Sequence, residues 1–179
     1  MKRTPLTAQR LREVLHYSPS TGRFKWKMTR GRQAAGAEAG SYVNGYVRIW
    51  VDSRPYLAQR LAWLYMKGGD DDTLAIAPPQ VDHRDTDGEN NRWRNLRAAT
   101  QTLNQRNTGA RARNLCGFKW VRTRKYPSGN IAYQAVVGQF SIGCFATPER
   151  AHRAAALRAK KLHGAFFNAG TRNDRRHAI

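Results

Sequence analysis

The stretch VDHRDTDGENNRWRNLRAATQTLNQRN, residues 81–107, sets an aspartate directly before a histidine and follows the pair with acidic and amide residues. Residues 80–83, QVDH, alternate in the manner of a short strand that ends in two polar side chains. Residues 84–94 are rich in Asp, Asn and Gly and read as a loop of turns. NLRAA (95–99) reads as a second short strand, and Thr100 is a good N-cap for a helix over TQTLNQRN (100–107). The predicted unit is therefore strand, loop, strand, helix, with His83 ending the first strand, Asn95 starting the second and Asn104 on the helix. If the hairpin folds onto the helix, Asp82 and Asn104 bring two oxygen ligands to one cation and leave room for water and phosphate oxygens. His83 then lies beside the same phosphate, where a neutral imidazole can accept a proton from water near neutral pH.

The rest of the chain supplies the partner for such a site. Against 12 Asp and Glu stand 32 Lys and Arg, a formal charge of +20 with a pI near 11.2. A soluble surface ordinarily mixes signs, so this excess implies a polyanion, and nucleic acid is favoured because no apolar run is long enough to span a bilayer. Seven of the 12 acids lie between Asp70 and Glu89, whereas residues 101–179 carry 15 Lys and Arg and only Glu149 and Asp174 as acids. A carboxylate island inside a positive field suits a cation-dependent nuclease, since the metal needs hard oxygen ligands and DNA needs Lys and Arg. The N-terminus has basic residues but no apolar core of a secretory signal, and a cytoplasmic protein is expected. Cys116 and Cys144 are too few and too far apart for a zinc pair or a disulfide framework and are expected as small buried thiols.

Aromatic residues make up 10% of the 179, which favours small modules over one large core. Ahead of residue 81, LTAQRLREVLHY (6–17) reads as a helix capped by Thr7. GRFKWK and GYVRIWV read as strands, with a third short piece at Pro55 to Leu57. LAQRLAWLYMKGG reads as a helix burying Leu57, Leu61, Leu64 and Tyr65. NTGARARNL marks a basic linker, placed at 108–114. Beyond it, GFKWVRTRKY, IAYQAVVGQ and FSIGCF suggest a three-stranded antiparallel meander. A helix follows, capped by Thr147, opened by Pro148, ended by Gly164, with Ala151, Ala155, Ala159 and Leu162 on one face.

Residues 81–107 resemble the HNH nuclease motif, the ββα-metal unit, in its His-Asn-Asn form. The resemblance implies that His83 is the general base, that Asp82 and Asn104 ligate a divalent ion, and that Asn95 holds the loop that positions the histidine. TGRFKWK, GYVRIWV, AQRLAWLY and LNQRN extend it toward bacteriophage HNH homing-type endonucleases, and CGFKWVR to HGAFFN resembles the AP2-type DNA-binding domain. The expected fold is α+β: an HNH nuclease module within residues 1–107, with its motif core at 80–107, and an AP2-like sheet and helix at 115–168. Residues 169–179 are expected as a disordered basic tail. Similar chains commonly carry histidine where this one has Gln59, so no chemical role is assigned there. Without flanking zinc-knuckle cysteines, structural zinc is not expected, while Mg2+ is expected and Mn2+ is its substitute, because the ligands are carboxylate and amide oxygens.

Blander readings apply to the neighbours. Asp85, Asp87, Glu89, Asn90 and Asn91 are expected as turn formers. Arg84, Arg94 and Arg97 are candidate phosphate clamps. His16, His152 and His163 are placed in helices, His177 in the tail, and none is given a chemical role. In the second module Lys119, Arg122, Arg124 and Lys125, with Tyr133 and Gln134 on the next strand, are the candidate DNA contacts, while Phe118, Trp120 and Phe145 are assigned to the core. The expected activity is metal-dependent hydrolysis of phosphodiester bonds in duplex DNA by a protein monomeric on its substrate, with a dimer as the alternative. The competing reading is a non-catalytic AP2-like DNA-binding regulator whose HNH motif is structural. A third, an RNA-binding accessory protein, rests on charge alone.

Overall fold

The structure is a computed structural model that describes residues 5–103, 114 and 116–170. The N-terminal tip, the second half of the predicted 100–107 helix with Asn104, most of the predicted linker and most of the tail with His177 lie outside the described residues. The fold is mixed α and β, built from small antiparallel sheets. The chain divides into two compact units, Met1–Gln101 and Thr102–Ile179. Among the described residues no helix is long and apolar enough to cross a membrane.

In the first unit α1 (Ala8–Val14) begins where Thr7 Oγ1 accepts from the Arg10 amide at 3.2 Å, and it buries Ala8, Leu11 and Val14. The helix stops sooner than its apolar spacing predicts. Leu15–Tyr17 is instead a strand, β1, that pairs antiparallel with β2 (Phe24–Trp26), so His16 sits on a strand and not on a helix. Pairing wins because it buries Leu15 and Tyr17 against Phe24 and Trp26 while His16 faces water. A second sheet runs β3 (Ser41–Val43), β4 (Tyr46–Val51) and β5 (Arg54–Leu57) in that order. Asn44 and Gly45, both at positive φ, make the two-residue turn between β3 and β4. Asp52 and Ser53, also at positive φ, turn β4 into β5, and the Asp52 carboxylate is held by Arg10 at 3.0 and 3.1 Å.

Helix α2 (Ala58–Lys67) follows directly and places Leu61 and Leu64 in the core, with Tyr65 partly buried against it. The short strands β6 (Gln80–His83) and β7 (Leu96–Ala99) then form an antiparallel hairpin, and residues 101–103 are helical. Val81 and Leu96 join the same core as Leu11, Phe24, Ile49 and Leu61, which anchors the hairpin to the unit.

The second unit is a meander of β8 (Val121–Lys125), β9 (Ile131–Val137) and β10 (Phe140–Phe145), with β9 in the middle, and the helix α3 (Pro148–His163). Thr147 caps α3 and Pro148 opens it. Ala151, Ala155 and Ala159 are fully buried against Val121, Ala135 and Val137, because small side chains let the helix lie close to the sheet. Leu162, expected on the same face, is 42% exposed. Phe118, Trp120 and Phe145 pack against this core.

Several expected DNA contacts take other positions. The strand starts only at Val121, and Trp120 before it adopts φ 64° with its ring stacked on Phe167. Lys119 is consequently off the strand and buried, its Nζ donating to the Asn168 carbonyl at 2.9 Å and lying over the Trp120 ring. Desolvation lowers its pKa to about 8. Tyr133 pairs with Thr123 and packs on the helix side of the sheet, and Lys125, two residues on from Thr123, falls on that same side. Arg122, Arg124 and Gln134 share the opposite face, where Arg124 Nε donates to Gln134 Oε1 at 2.8 Å. Cys144, expected as a buried thiol, pairs with Gln134 across β9 and β10 and is exposed on that face, while Cys116 is half-buried.

Candidate active site

Strand β6 buries Val81, Asp82 and His83 in succession, so two polar side chains enter the interior side by side. Burying them requires partners, and the hairpin supplies one by register. Asp82 lies directly opposite Arg97 on β7, and Asp82 Oδ2 accepts from Arg97 Nε at 2.7 Å and pairs with Nη2 at 2.6 Å, with both side chains nearly sealed from water. Arg97 is therefore no exposed phosphate clamp; it is the cross-strand counter-ion of Asp82. Arg84 and Arg94, the other two candidates, are exposed on the loop beside the pair.

His83 is 4% exposed, and its Nε2 lies 3.1 Å from Oδ1 of Asn91. Burial pushes its pKa below the usual 6.5, against the upward pull of the Asn91 bond and of the Asp85, Asp82 and Asp87 charges. The Tyr46 ring of β4 stands 6.0 Å from the imidazole, centroid to centroid.

The loop from 84 to 95 is closed by Asn95. Its Nδ2 donates to Asp85 Oδ1 and to the Asn90 carbonyl, both at 2.8 Å, and its Oδ1 accepts from the Asp85 amide at 3.2 Å. Its own carbonyl accepts from the Arg84 amide at 2.9 Å. Inside the loop Asp85 Oδ1 accepts from the Asp87 amide and Asp87 Oδ1 from the Glu89 amide, each at 2.9 Å, so these acids are turn residues. Asn90 belongs with them through Asp85 at 2.6 Å. Asn91, also expected as a turn former, does bond within the turn, its backbone amide donating to the Glu89 carbonyl at 2.9 Å, and in addition it is 1% exposed and its side chain reaches the histidine.

Asp82, His83 and Asn95 are thus brought to one hairpin, while Asn104 lies outside the described residues. Among the described residues no group of three or more His, Cys, Asp and Glu is arranged to hold a metal. The donor types still suit a hard divalent cation, because Asp82 offers a carboxylate and Asn104 an amide oxygen. Gln59 is buried in α2, and among the described residues its Oε1 has no hydrogen-bond partner and its side chain bonds none of these residues. A cavity of about 270 Å3 opens behind the loop, bordered by Gly22, Arg23, Glu38, Asn90, Asn91 and Arg92 among others, but not by Asp82 or His83.

Sequence reasoning missed Asn91, Tyr46 and the true place of Arg97. Only the last had a signal: pairing QVDH against LRAA sets Asp82 opposite Arg97, and opposite charges across a strand pair attract.

Comparison of the chain with curated proteins and with solved structures gives no match. A family model described as HNH endonuclease matches residues 56–106, a span that runs from β5 through α2 and the β6–β7 hairpin and contains Asp82, His83, Asn95 and Asn104, and it supports an HNH nuclease.

Proposed function

We propose that the chain is a metal-dependent DNA endonuclease of the homing type, phage-encoded and acting in the host cytoplasm, which hydrolyses phosphodiester bonds in duplex DNA. The observation that carries this reading is the buried Asp82–His83 pair on a hairpin whose loop Asn95 ties down by side-chain bonds to Asp85 and Asn90. His83 takes a proton from a water, whose oxygen attacks phosphorus in line as the bond to the 3′ oxygen breaks. The released 3′ oxygen collects a proton from solvent, leaving 5′-phosphate and 3′-hydroxyl ends. A divalent cation, Mg2+ or Mn2+, would polarise the phosphate and stabilise the leaving oxygen. Asp82 and Asn104 would hold it, with Arg97 fixing the Asp82 carboxylate through Oδ2. Arg84 and Arg94, both exposed in the loop between β6 and β7, would take flanking phosphates.

The second unit would bind the duplex with the face bearing Arg122, Arg124 and Gln134, as in an AP2-like sheet lying in a groove. Its support is the exposed, helix-free side of the β8–β10 meander. Cys144 provides a direct check, because it is exposed on this face and pairs with Gln134. Duplex DNA is expected to protect Cys144 from alkylation, read by mass spectrometry, while Cys116, half-buried with its Sγ 2.9 Å from Asn114 Oδ1, serves as the internal reference. Unchanged labelling of Cys144 in saturating DNA would remove this face from the reading.

The activity itself is tested with supercoiled plasmid and phage DNA incubated with the full chain in Mg2+, Mn2+ or EDTA. Nicked or linear product with metal and none with EDTA is expected. DNA retarded but uncut under every condition would leave a binding protein in place of the enzyme.

A further inference from the structure

We propose that Asn91 is the positioning residue of this site, whose Oδ1 fixes His83 as the Nε2–H tautomer and so makes Nδ1 the nitrogen that takes the proton from water. The inference rests on the nuclease reading for its consequence, but its geometry stands without it. Asn91 Nδ2 donates to the Glu89 carbonyl at 3.1 Å. A carbonyl only accepts, so the amide cannot be turned the other way, and Oδ1 must be the atom facing Nε2 of His83 at 3.1 Å. An amide oxygen has no hydrogen to give. Nε2 must therefore carry the hydrogen, and in a neutral imidazole the lone pair then belongs to Nδ1.

The same bond serves both ends of the proton transfer. Before it, Nε2–H donates to Oδ1; after it, the imidazolium carries hydrogens on both nitrogens and Nε2–H still donates to Oδ1, so nothing in the pair has to rearrange. That is the role of an orienting acceptor behind a general base.

Asn91 is held in place from the opposite side by the β1–β2 hairpin. Its carbonyl accepts from the buried Tyr17 hydroxyl at 2.7 Å. The Trp93 amide donates to the Pro19 carbonyl at 3.0 Å, and Arg92 Nε donates to the Ser20 carbonyl at 3.1 Å. Gly22, at φ +77°, comes so near that a Cβ there would strike the backbone of Asn91 and Arg92. A turn some seventy residues away in sequence, by the 74-residue separation of Tyr17 and Asn91, thus sets the position of the histidine's partner.

The wild-type chain tests the tautomer directly. With 15N-labelled histidine in the full chain at pH 8, and the His83 signals assigned by their loss in His83→Gln, Nε2 is expected to be the protonated nitrogen and Nδ1 the unprotonated one. The reverse pattern overturns the proposal, and the spectrum decides it even in a chain that cuts no DNA, which separates its failure from that of the nuclease reading. For function, Asn91→Leu removes the acceptor at similar size, and Asn91→Asp keeps an acceptor oxygen. Asn91→Leu is expected to lower the cleavage rate by about 10²-fold, at the low end of what a general base contributes, with the DNA Kd unchanged. Asn91→Asp should cut faster than Asn91→Leu. Equal losses in both variants, or wild-type cleavage by Asn91→Leu, would show that the residue only fills space.

Discussion

Replacing His83 by alanine is expected to slow DNA cleavage by about 10²- to 10⁴-fold, the usual share of a positioned general base, while leaving DNA affinity at the wild-type value. The two effects separate because His83 is buried on the hairpin and bonds Asn91, whereas exposed cations such as Arg84, Arg94, Arg122 and Arg124 can meet phosphate. Attraction to the polyanion is set by those charges and falls with salt, and the substitution changes none of them. The variant is measured beside wild type by single-turnover cleavage in Mg2+ and by a binding titration in EDTA, with a thermal melt to show that both chains are folded. A His83→Ala chain that cuts like wild type would sink the base assignment. One that fails to bind DNA would mean instead that the hairpin is part of the recognition surface.

The parts of this fold that were legible in sequence are those with local punctuation. Thr147, Pro148 and Gly164 mark both ends of α3 by capping chemistry, and the structure places the helix between them. QVDH and LRAA alternate and are separated by a loop of turn residues, and they pair in the register that brings Asp82 and His83 to one end. What could not be read depends on partners remote in the chain. Leu15 continues the apolar spacing of Leu11 and Val14, and only Phe24 and Trp26 decide that it starts a strand. Asn90 and Asn91 are the same residue type side by side, yet one closes the loop on Asp85 and the other enters the interior to meet His83. Tyr17 and Gly22 select which of them turns inward, and nothing near residue 91 announces that. In sequence Lys119 continues the alternation of β8, because Trp120 gives no sign of its positive φ.

Truncating Arg97 to alanine is expected to destabilise the first unit by about 3–5 kcal/mol, the cost of leaving a buried charge without its counter-ion. The pair is nearly sealed, with side chains 8% and 5% exposed, and two guanidinium nitrogens reach the same carboxylate oxygen, so water cannot replace the lost partner. A surface pair such as Arg23–Glu38, more than half exposed on both sides, should cost no more than about 1 kcal/mol when broken. Stability and chemistry can then be told apart with a double variant. Asp82→Leu with Arg97→Met removes both charges together, and replacing a buried ion pair by apolar side chains of similar volume is often neutral or stabilising by about 1–4 kcal/mol. The double variant should therefore recover most of the stability that Arg97→Ala loses, measured by chemical denaturation, and still fail to cut DNA, because the carboxylate proposed to hold the metal is gone. Recovered stability with wild-type cleavage would reduce Asp82 to a structural charge and move the metal elsewhere. Stability left as low as in Arg97→Ala would show that the hairpin needs the ion pair for its register, with the catalytic role of Asp82 then resting on Asp82→Asn, which keeps the shape, keeps an oxygen facing Arg97 and removes only the negative charge.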